Sequence, residues 1–254
     1  MQLLVAARTD TGMIRSGNED NFYRDVNANR GLFIVADGMG GHAAGEVASE
    51  MAVEVLAREL HVMPDEGDEA RQARISAALK LANKSIHERT VQETEKHGMG
   101  TTVSALILKD GRYFIGQVGD SRVYLLRSGE LRQLTKDHSY VQEQVDAGVL
   151  TPEQARYHPY SNVITRCVGA GSEVQPDTLV GDVKTGDVFL LATDGLTGMV
   201  DDRRLFRLLS SRATPQRVVE ALIAEANGRG GLDNITAIVI HVLTVDEGGE
   251  GDSE

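Results

Sequence analysis

Acidic residues recur at the ends of predicted strands, and most of them stand beside glycine or asparagine. Asp37 follows the apolar run 32–36, and Asp194 follows the run 189–192. Comparable positions are held by Glu19, Asp20, Asp120 and Asp233. An Asp-Gly pair after a strand is usually only a turn, but repeated oxygen ligands at strand ends suit hard cations such as Mg²⁺ or Mn²⁺. The repetition therefore predicts a carboxylate-rich divalent metal site, where neighbouring glycines let backbone carbonyls approach an ion.

Several other catalytic chemistries lack their motifs in this sequence. The chain has no Gly-Lys-Ser/Thr phosphate loop, no His-Glu-x-x-His and no Gly-x-Ser-x-Gly. Its single cysteine, Cys167, allows no intramolecular disulfide. Glu173 stands where a cysteine-dependent phosphatase would need an arginine. These exclusions leave metal-assisted chemistry as the main interpretation.

The elements that would position the carboxylates alternate between strand-like and helix-like segments. Strands at 3–8 and 32–36 precede two helices whose apolar residues recur at i, i+3, i+4 and i+7. Two hairpins follow, with turns at Asp110-Gly111 and Ser128-Gly129. The remaining predicted elements are strands near 178–183 and 187–192, helices near 201–210 and 215–227, and a strand at 235–242. This order predicts an α+β sandwich of two antiparallel sheets with helix pairs on the outer faces.

Two segments stand outside this pattern. Residues 137–170 are polar, contain two prolines and carry a short helical stretch at Val141 and Val145 without a clear core face, so we expect them to form a flap inserted into the domain rather than part of its core. The tail, residues 245–254, is acidic and glycine-rich, which predicts disorder. The expected organisation is a single domain over residues 1–244.

The charge balance limits the classes of partner. The chain has 26 Lys and Arg against 38 Asp and Glu, a net charge of −12. This balance argues against nucleic acid or an anionic membrane as partner, because both need a basic face. No apolar run approaches the ~20 residues that span a bilayer. The N-terminus lacks the basic start of a signal peptide, so we expect a cytoplasmic protein.

The order of the motifs resembles a known family. The chain contains, in sequence, Arg15-Ser-Gly-Asn-Glu-Asp20, Asp37-Gly-Met-Gly-Gly-His-Ala-Ala-Gly45, Gly100-Thr-Thr102, Gly119-Asp-Ser-Arg122, Asp194-Gly195 and Asp233-Asn234. Together these resemble the protein phosphatase 2C family of metal-dependent Ser/Thr phosphatases, specifically its compact bacterial type. The resemblance covers about residues 6–242, and it implies the α-β-β-α sandwich of that family.

The resemblance also implies a centre of two Mn²⁺ or Mg²⁺ ions at one end of the sandwich. Asp37 would bridge both ions. Asp194 and Asp233 would complete the ligands of the first ion. The carbonyl of Gly38 would bind the second ion, and Asp20 would hold its waters.

Four further roles follow from the same resemblance. Glu19 would contribute to the second ion, and Asp120 would hold a third ion together with Asp194. Arg15 would bind the substrate phosphate, since its guanidinium can contact two phosphate oxygens at once. His42 is a candidate general acid that protonates the leaving oxygen; the alternative is that it orders the glycine-rich turn or touches substrate.

The reaction implied by the family is hydrolysis of phosphoserine and phosphothreonine on proteins. A metal-bridging hydroxide would attack phosphorus directly, and the enzyme would oppose a Hanks-type Ser/Thr kinase. One alternative is a non-catalytic module that binds phosphopeptides on the same fold. Another is a two-metal hydrolase of nucleic acids, which the net charge disfavours. We expect the protein to be a monomer.

Overall fold

The computed structural model describes residues 1–27, 30–40, 44–96 and 98–245, which form β-sheets with helices on their outer faces. The strands are β1 Gln2–Asp10, β2 Asp20–Asn27, β3 Arg30–Met39, β4 Gly100–Thr101, β5 Val103–Lys109, β6 Arg112–Val118, β7 Arg122–Arg127, β8 Glu130–Gln133, β9 Asp177–Asp182, β10 Val188–Ala192 and β11 Ile235–Thr244. The helices are α1 Ala44–Glu59, α2 Asp68–Gln92, α3 Tyr140–Asp146, α4 Pro152–Arg156, α5 Asp194–Thr197, α6 Asp202–Leu209 and α7 Pro215–Gly228, with a 3-10 turn at Thr94–Lys96.

Two antiparallel sheets form the centre of the molecule. The first sheet has the order β1-β11-β10-β7-β8, and the second has the order β2-β3-β5-β6-β9, with β4 pairing with the end of β3. The two predicted hairpin turns are confirmed, because Asp110, Gly111, Ser128 and Gly129 all have positive φ angles. Two consecutive residues of this kind make the turn whose twist matches that of the flanking strands.

Alternate side chains of β3 face two different layers. Leu32 and Ile34 pack with α1 and α2, whereas Phe33 and Val35 pack between the two sheets. A separate apolar cluster joins α5, α6 and α7 to the other face of the first sheet. The layers therefore follow the order α-β-β-α, and the predicted fold class is confirmed.

The segment 137–170 is only partly an insertion. Its middle carries the short helices α3 and α4, whose N-termini are capped by the side chains of Ser139 and Thr151. Its end belongs to the body of the domain, since Val168 is buried in the α1–α2 core and exchanges backbone hydrogen bonds with Thr101. The expectation that the segment lies outside the core is therefore wrong at Val168. The contacts that bury its ends come from distant parts of the chain.

Val245, the first residue of the predicted tail, packs against the body of the domain. The N–H of Val245 donates to Oγ1 of Thr185 at 3.1 Å, and its side chain packs against the core between the sheets. Val245 is therefore wrongly assigned to the tail, and the rest of the predicted tail, residues 246–254, lies outside the described residues. Within the described ranges, every helix is too short or too polar to cross a membrane.

Candidate metal centre and phosphate site

Strand ends from both sheets bring the predicted carboxylates to one end of the sandwich. Asp20 opens β2 and is the direct cross-strand partner of Asp37 near the end of β3. In the other sheet, Asp194 follows β10 and Asp233 precedes its neighbour β11. The residues that follow these two aspartates are in close contact, because a Cβ on Gly195 would lie 1.9 Å from the carbonyl oxygen of Asn234.

Gly38 lies in a space that excludes any side chain. A Cβ there would stand 2.1 Å from the carbonyl oxygen of Gly45 and 2.6 Å from that of Glu19. Its N–H donates to the same Glu19 carbonyl at 3.1 Å. Glycine is therefore required here, and it brings the backbone beside Asp37 against the start of α1. Burial raises the pKa of the Glu19 carboxyl, and the charge of Arg15 opposes that shift.

Asp120 reaches the same end from the turn after β6. The preceding residue, Gly119, has a φ of +103°, and a Cβ on it would lie 2.6 Å from the side chain of Thr102. Thr102 holds Asp37 from both sides: its N–H donates to the Asp37 carbonyl at 2.9 Å, and its Oγ1 accepts the Asp37 N–H at 3.0 Å. The Gly-Thr-Thr and Gly-Asp-Ser-Arg motifs thus place Asp120 near Asp37.

Two threonines hold one oxygen of Asp20 and leave the other free of partners. Thr193 Oγ1 and Thr236 Oγ1 donate to Oδ2 of Asp20 at 2.8 and 2.6 Å. Oδ1 of Asp20 is buried and has no hydrogen-bond partner within the described part of the chain, and the same holds for Oδ1 of Asp194. Buried polar atoms are normally paired, so two unpartnered carboxylate oxygens at one end of the molecule need an explanation.

Burial raises the pKa values of the most enclosed aspartates. The pKa of Asp37 lies well above its ordinary range, first because of burial and then because of the charges of Asp20, Asp194 and Asp120. Burial raises the pKa of Asp20 to about 7, although both threonine hydrogen bonds lower it. The pKa values of Asp120 and Asp194 are also raised, again with burial as the largest cause. A divalent cation among these carboxylates would favour their charged forms.

The residues present fit a divalent cation in their chemistry, although their placement is not that of a closed ligand cage. No three His, Cys, Asp or Glu side chains in residues 1–27, 30–40, 44–96 and 98–245 are arranged so that they could hold an ion as they stand. The donor set consists only of oxygens, and the buried Oδ1 atoms of Asp20 and Asp194 remain available as ligands. These are the ligands that Mg²⁺ and Mn²⁺ prefer.

Arg15 lies beside these carboxylates. Its Nη2 donates to Oδ2 of Asp233 at 2.7 Å, and the arginine side chain is 52% exposed. The structure thus brings the residue predicted to bind phosphate next to a residue predicted to bind metal. His42, the candidate general acid, lies outside the described residues.

His138 shows where the sequence interpretation was wrong. It belongs to the segment 137–170, which was predicted to be a flap outside the core, but the structure buries it. Its backbone N–H donates to the Gly119 carbonyl at 2.9 Å, and its Nδ1 accepts the Gly119 N–H at 3.0 Å. Its Nε2 lies 3.1 Å from Oδ2 of Asp177. Burial lowers the pKa of His138, and the acceptor role of Nδ1 requires the neutral ring.

Three supporting residues were given no role from the sequence, although Asn234 belongs to the Asp233-Asn234 motif. Thr193 and Thr236 hold Asp20, and Asn234 accepts the N–H of Glu19 at 2.8 Å. Each of them is adjacent to a residue of the site or lies two positions from another supporting residue. The sequence signal was therefore only a polar residue at the end of an apolar strand. Such a residue does not by itself indicate which side chain it binds.

Comparison with known proteins agrees with this geometry. A sequence model described as Protein phosphatase 2C matches residues 13–225. The chain is 40% identical, over 97% of its length, to the serine/threonine protein phosphatase PstP of Mycobacterium tuberculosis, of which it covers only 46%. It is 41% identical over 92% of its length to the serine/threonine phosphatase stp of Listeria monocytogenes, of which it covers 93%.

A solved structure extends the similarity to three dimensions. The catalytic domain of PstP, in complex with two manganese ions, matches with a TM-score of 0.84 and 39% identity, over 95% of this chain and 100% of that one. Fold and site together define an α-β-β-α sandwich of a metal-dependent class, with carboxylates of both sheets at one end. The chain belongs to the protein phosphatase 2C family.

Proposed function

We propose that this chain is a metal-dependent protein phosphatase that hydrolyses phosphoserine and phosphothreonine on proteins. The observation that carries the proposal is the convergence of aspartates from both sheets beside Arg15, where Asp20 and Asp194 each keep one buried oxygen without a partner among the described residues. The names of the relatives support the reaction, since PstP and stp are described as serine/threonine phosphatases.

In this proposal, Asp37, Asp194 and Asp233 hold the first ion, and Asp37 with the Gly38 carbonyl holds the second. Asp20 would orient the waters around the second ion, because two threonine hydroxyls fix its Oδ2 while its Oδ1 has no partner among the described residues. Bound Mn²⁺ or Mg²⁺ would lower the pKa of water and stabilise charge on the phosphoryl group. The manganese ions of the PstP domain support two such ions here.

The remaining site residues have separate proposed roles. Asp120, with Asp194, would hold a third and weaker ion, and Glu19 would support the second ion. Arg15 would leave Asp233 and hold two phosphate oxygens in a bidentate contact, which its exposed side chain allows. His42 stays the candidate proton donor for the leaving serine or threonine oxygen.

The proposal also includes the setting of the enzyme. The substrates would be phosphorylated proteins, and the opposing enzyme a Hanks-type Ser/Thr kinase. The phosphatase domain would be a single monomeric unit over residues 1–245 that acts in the cytoplasm. The negative net charge supports proteins rather than nucleic acids or anionic membranes as partners.

The test is phosphate release from a phosphothreonine peptide with Mn²⁺, with EDTA, and with the Asp37→Ala variant. The matched control is Asp182→Ala, which removes an aspartate at a strand end that is 64% exposed and pairs with Arg112. We expect release that needs Mn²⁺, disappears in Asp37→Ala and is unchanged in Asp182→Ala. Folding of each variant is checked by circular dichroism.

The opposite result would change the interpretation. If the folded, Mn²⁺-loaded protein releases no phosphate but binds the phosphopeptide, it is the phosphopeptide-binding module. If it neither releases phosphate nor binds the peptide, the proposed substrate class is wrong. Equal rates in Asp37→Ala and the unmodified protein would contradict the metal assignment.

A further inference from the structure

The side chain of Asn234 holds the connection between β1 and β2. This residue is buried and directly precedes β11. Its Oδ1 accepts the N–H of Glu19 at 2.8 Å, and its Nδ2 donates to the carbonyl oxygens of Thr11 and Gly17, both at 2.9 Å. A single amide group therefore fixes both ends of residues 11–19.

The connection that Asn234 holds carries Arg15 on its exposed part. Residues 13–17 are exposed, and one further tie is the N–H of Met13, which donates to the Gly231 carbonyl at 2.8 Å. The carbonyl of Gly17, bound by Asn234, lies two residues after Arg15. A bidentate phosphate contact needs both N–H groups of the arginine in a defined direction, and a held backbone beneath the side chain reduces the number of positions that its guanidinium can take.

The amide group matches its three partners in number and type. Asparagine offers one carbonyl acceptor and two N–H donors, and this site uses the oxygen once and the nitrogen twice. An aspartate would turn an oxygen towards the carbonyls of Thr11 and Gly17, and an alanine would reach none of the three. The surrounding backbone is closely packed, since a Cβ on Gly12 would lie 2.2 Å from the Asp233 carbonyl oxygen.

We propose that Asn234 is a positioning residue for substrate binding, which sets the place of Arg15 by holding the backbone on both sides of it. This inference rests on the proposed phosphatase function and concerns the binding step. Asn234 touches neither the substrate nor the reacting atoms; it acts through Arg15.

The adjacent metal ligand supplies the main competing explanation. The backbone N–H of Asn234 donates to Oδ1 of Asp233 at 2.9 Å, so the residue also supports a proposed metal ligand. That bond belongs to the main chain and is kept when only the side chain is replaced. Loss of the side chain should therefore weaken phosphopeptide binding and leave the affinity for Mn²⁺ within about twofold.

The experiment compares Asn234→Ala with Asn83→Ala. Asn83 is a matched control, because it is a buried asparagine that also ties down a loop: its Oδ1 accepts the Gly169 N–H at 2.7 Å, and its Nδ2 donates to the Gly171 carbonyl at 2.9 Å. We expect Asn234→Ala to raise KM for the phosphopeptide about tenfold with kcat changed less than about threefold, since several hydrogen bonds are lost. Asn83→Ala should leave KM unchanged. Calorimetric titration with Mn²⁺ is the second readout.

A double substitution tests whether Asn234 acts through Arg15. In the Arg15→Ala background, Asn234→Ala should raise KM by less than about twofold, because the group that it positions is already gone. Full additivity of the two effects would overturn the inference. A large loss of Mn²⁺ affinity with an unchanged KM would also overturn it and would show that Asn234 serves the metal ligands.

Two further measurements keep the inference testable. If Asn234→Ala does not fold, the near-isosteric Asn234→Asp, which loses both donors, should show the same rise in KM, and an unchanged KM in that variant contradicts the inference. If the unmodified protein releases no phosphate, the proposed function fails, and the inference is then judged by fluorescence polarisation with the phosphopeptide. Equal affinities of the unmodified protein and Asn234→Ala would contradict it.

Discussion

Among the aspartates that are buried or half-buried in the domain, two groups have opposite surroundings. The paired aspartates, Asp137 and Asp187, each accept a two-pronged contact from an arginine. Nη2 of Arg122 lies 2.6 Å from Oδ2 of Asp137, and Nη2 of Arg127 lies 2.6 Å from Oδ2 of Asp187, with a second contact through each Nε. The site aspartates, Asp20, Asp37, Asp120 and Asp194, have no such arginine contact within the described residues.

The difference separates acids that stabilise the fold from acids kept for a ligand. A buried carboxylate is tolerated when a charged donor compensates its lost hydration, as the arginine forks do. Where that donor is missing, burial raises the pKa, as it does for all four site aspartates. A divalent cation is the partner that would remove this cost, so the two groups should respond oppositely to substitution, to pH and to metal.

The largest expected effect comes from replacing one member of each group. We expect Asp37→Asn to lower the rate of phosphate release about a thousandfold, which is the size of loss seen when an enzyme loses one group that stabilises charge in the transition state. The same change should not lower the unfolding temperature in EDTA, because it removes a carboxylate from among like charges. Asp187→Asn should have the opposite effects. The variant should be less stable than the unmodified protein, but it should still release phosphate at low temperature. Kinetics and thermal unfolding of both variants check this, and a destabilised Asp37→Asn would contradict it.

The arginine partners offer the second comparison. Arg127→Ala would leave the fully buried Asp187 without its ion pair, and we expect a loss of about 3 kcal/mol in the free energy of unfolding. Arg15→Ala breaks an exposed pair with Asp233, so its cost should stay below about 1 kcal/mol while KM for the phosphopeptide rises. Urea unfolding measures both. Equal losses of stability would remove the distinction between the two kinds of pair.

The pH dependence of stability should show the effect of a site aspartate that has no arginine partner. The pKa of Asp20 is about 7 in the folded protein, above the ~3.9 of an unfolded chain, so the folded state binds more protons between these values. Its stabilising contribution is complete below about pH 4 and is lost as the pH rises towards and through 7. In EDTA, the unfolding temperature of the unmodified protein should therefore fall more steeply from pH 5 to pH 8 than that of Asp20→Asn. Saturating Mn²⁺ should reduce this difference, and parallel curves in EDTA would contradict the prediction.

The smallest effect concerns the hydroxyls that hold Asp20. Thr236→Val keeps the shape of the side chain but removes its 2.6 Å hydrogen bond to Oδ2 of Asp20, so Mn²⁺ affinity should fall about tenfold. The control is Thr90→Val, whose buried hydroxyl donates only within α2, to the Ile86 carbonyl. Calorimetry with Mn²⁺ measures both variants. Similar losses in the two would show that the hydroxyl acts through general stability.

Much of the fold could be predicted from local pattern. The continuous apolar run of β3 and the helical periodicity of α1 and α2 depend on neighbouring residues, and so do the Asp-Gly and Ser-Gly turns. The two-residue β4 and the four-residue α5 were not predicted, because such short elements contain no period. The burial of His138 was missed for a different reason, since its contacts come from Gly119 and Asp177 in other elements.

The sequence by itself determined the layered fold, the family and the candidate carboxylates, because apolar runs, helical periodicity and the spacing of Asp and Gly can be read from consecutive residues. Only the tertiary structure decided how those carboxylates are held. Thr236, which binds Asp20, lies 216 positions away from it in the sequence, and Asn234, which binds Gly17, lies 217 positions away. Hydrogen bonds between residues so far apart leave no periodic trace in the sequence. They form only once β1 and β11 pair in one sheet and β2, in the other sheet, packs against them.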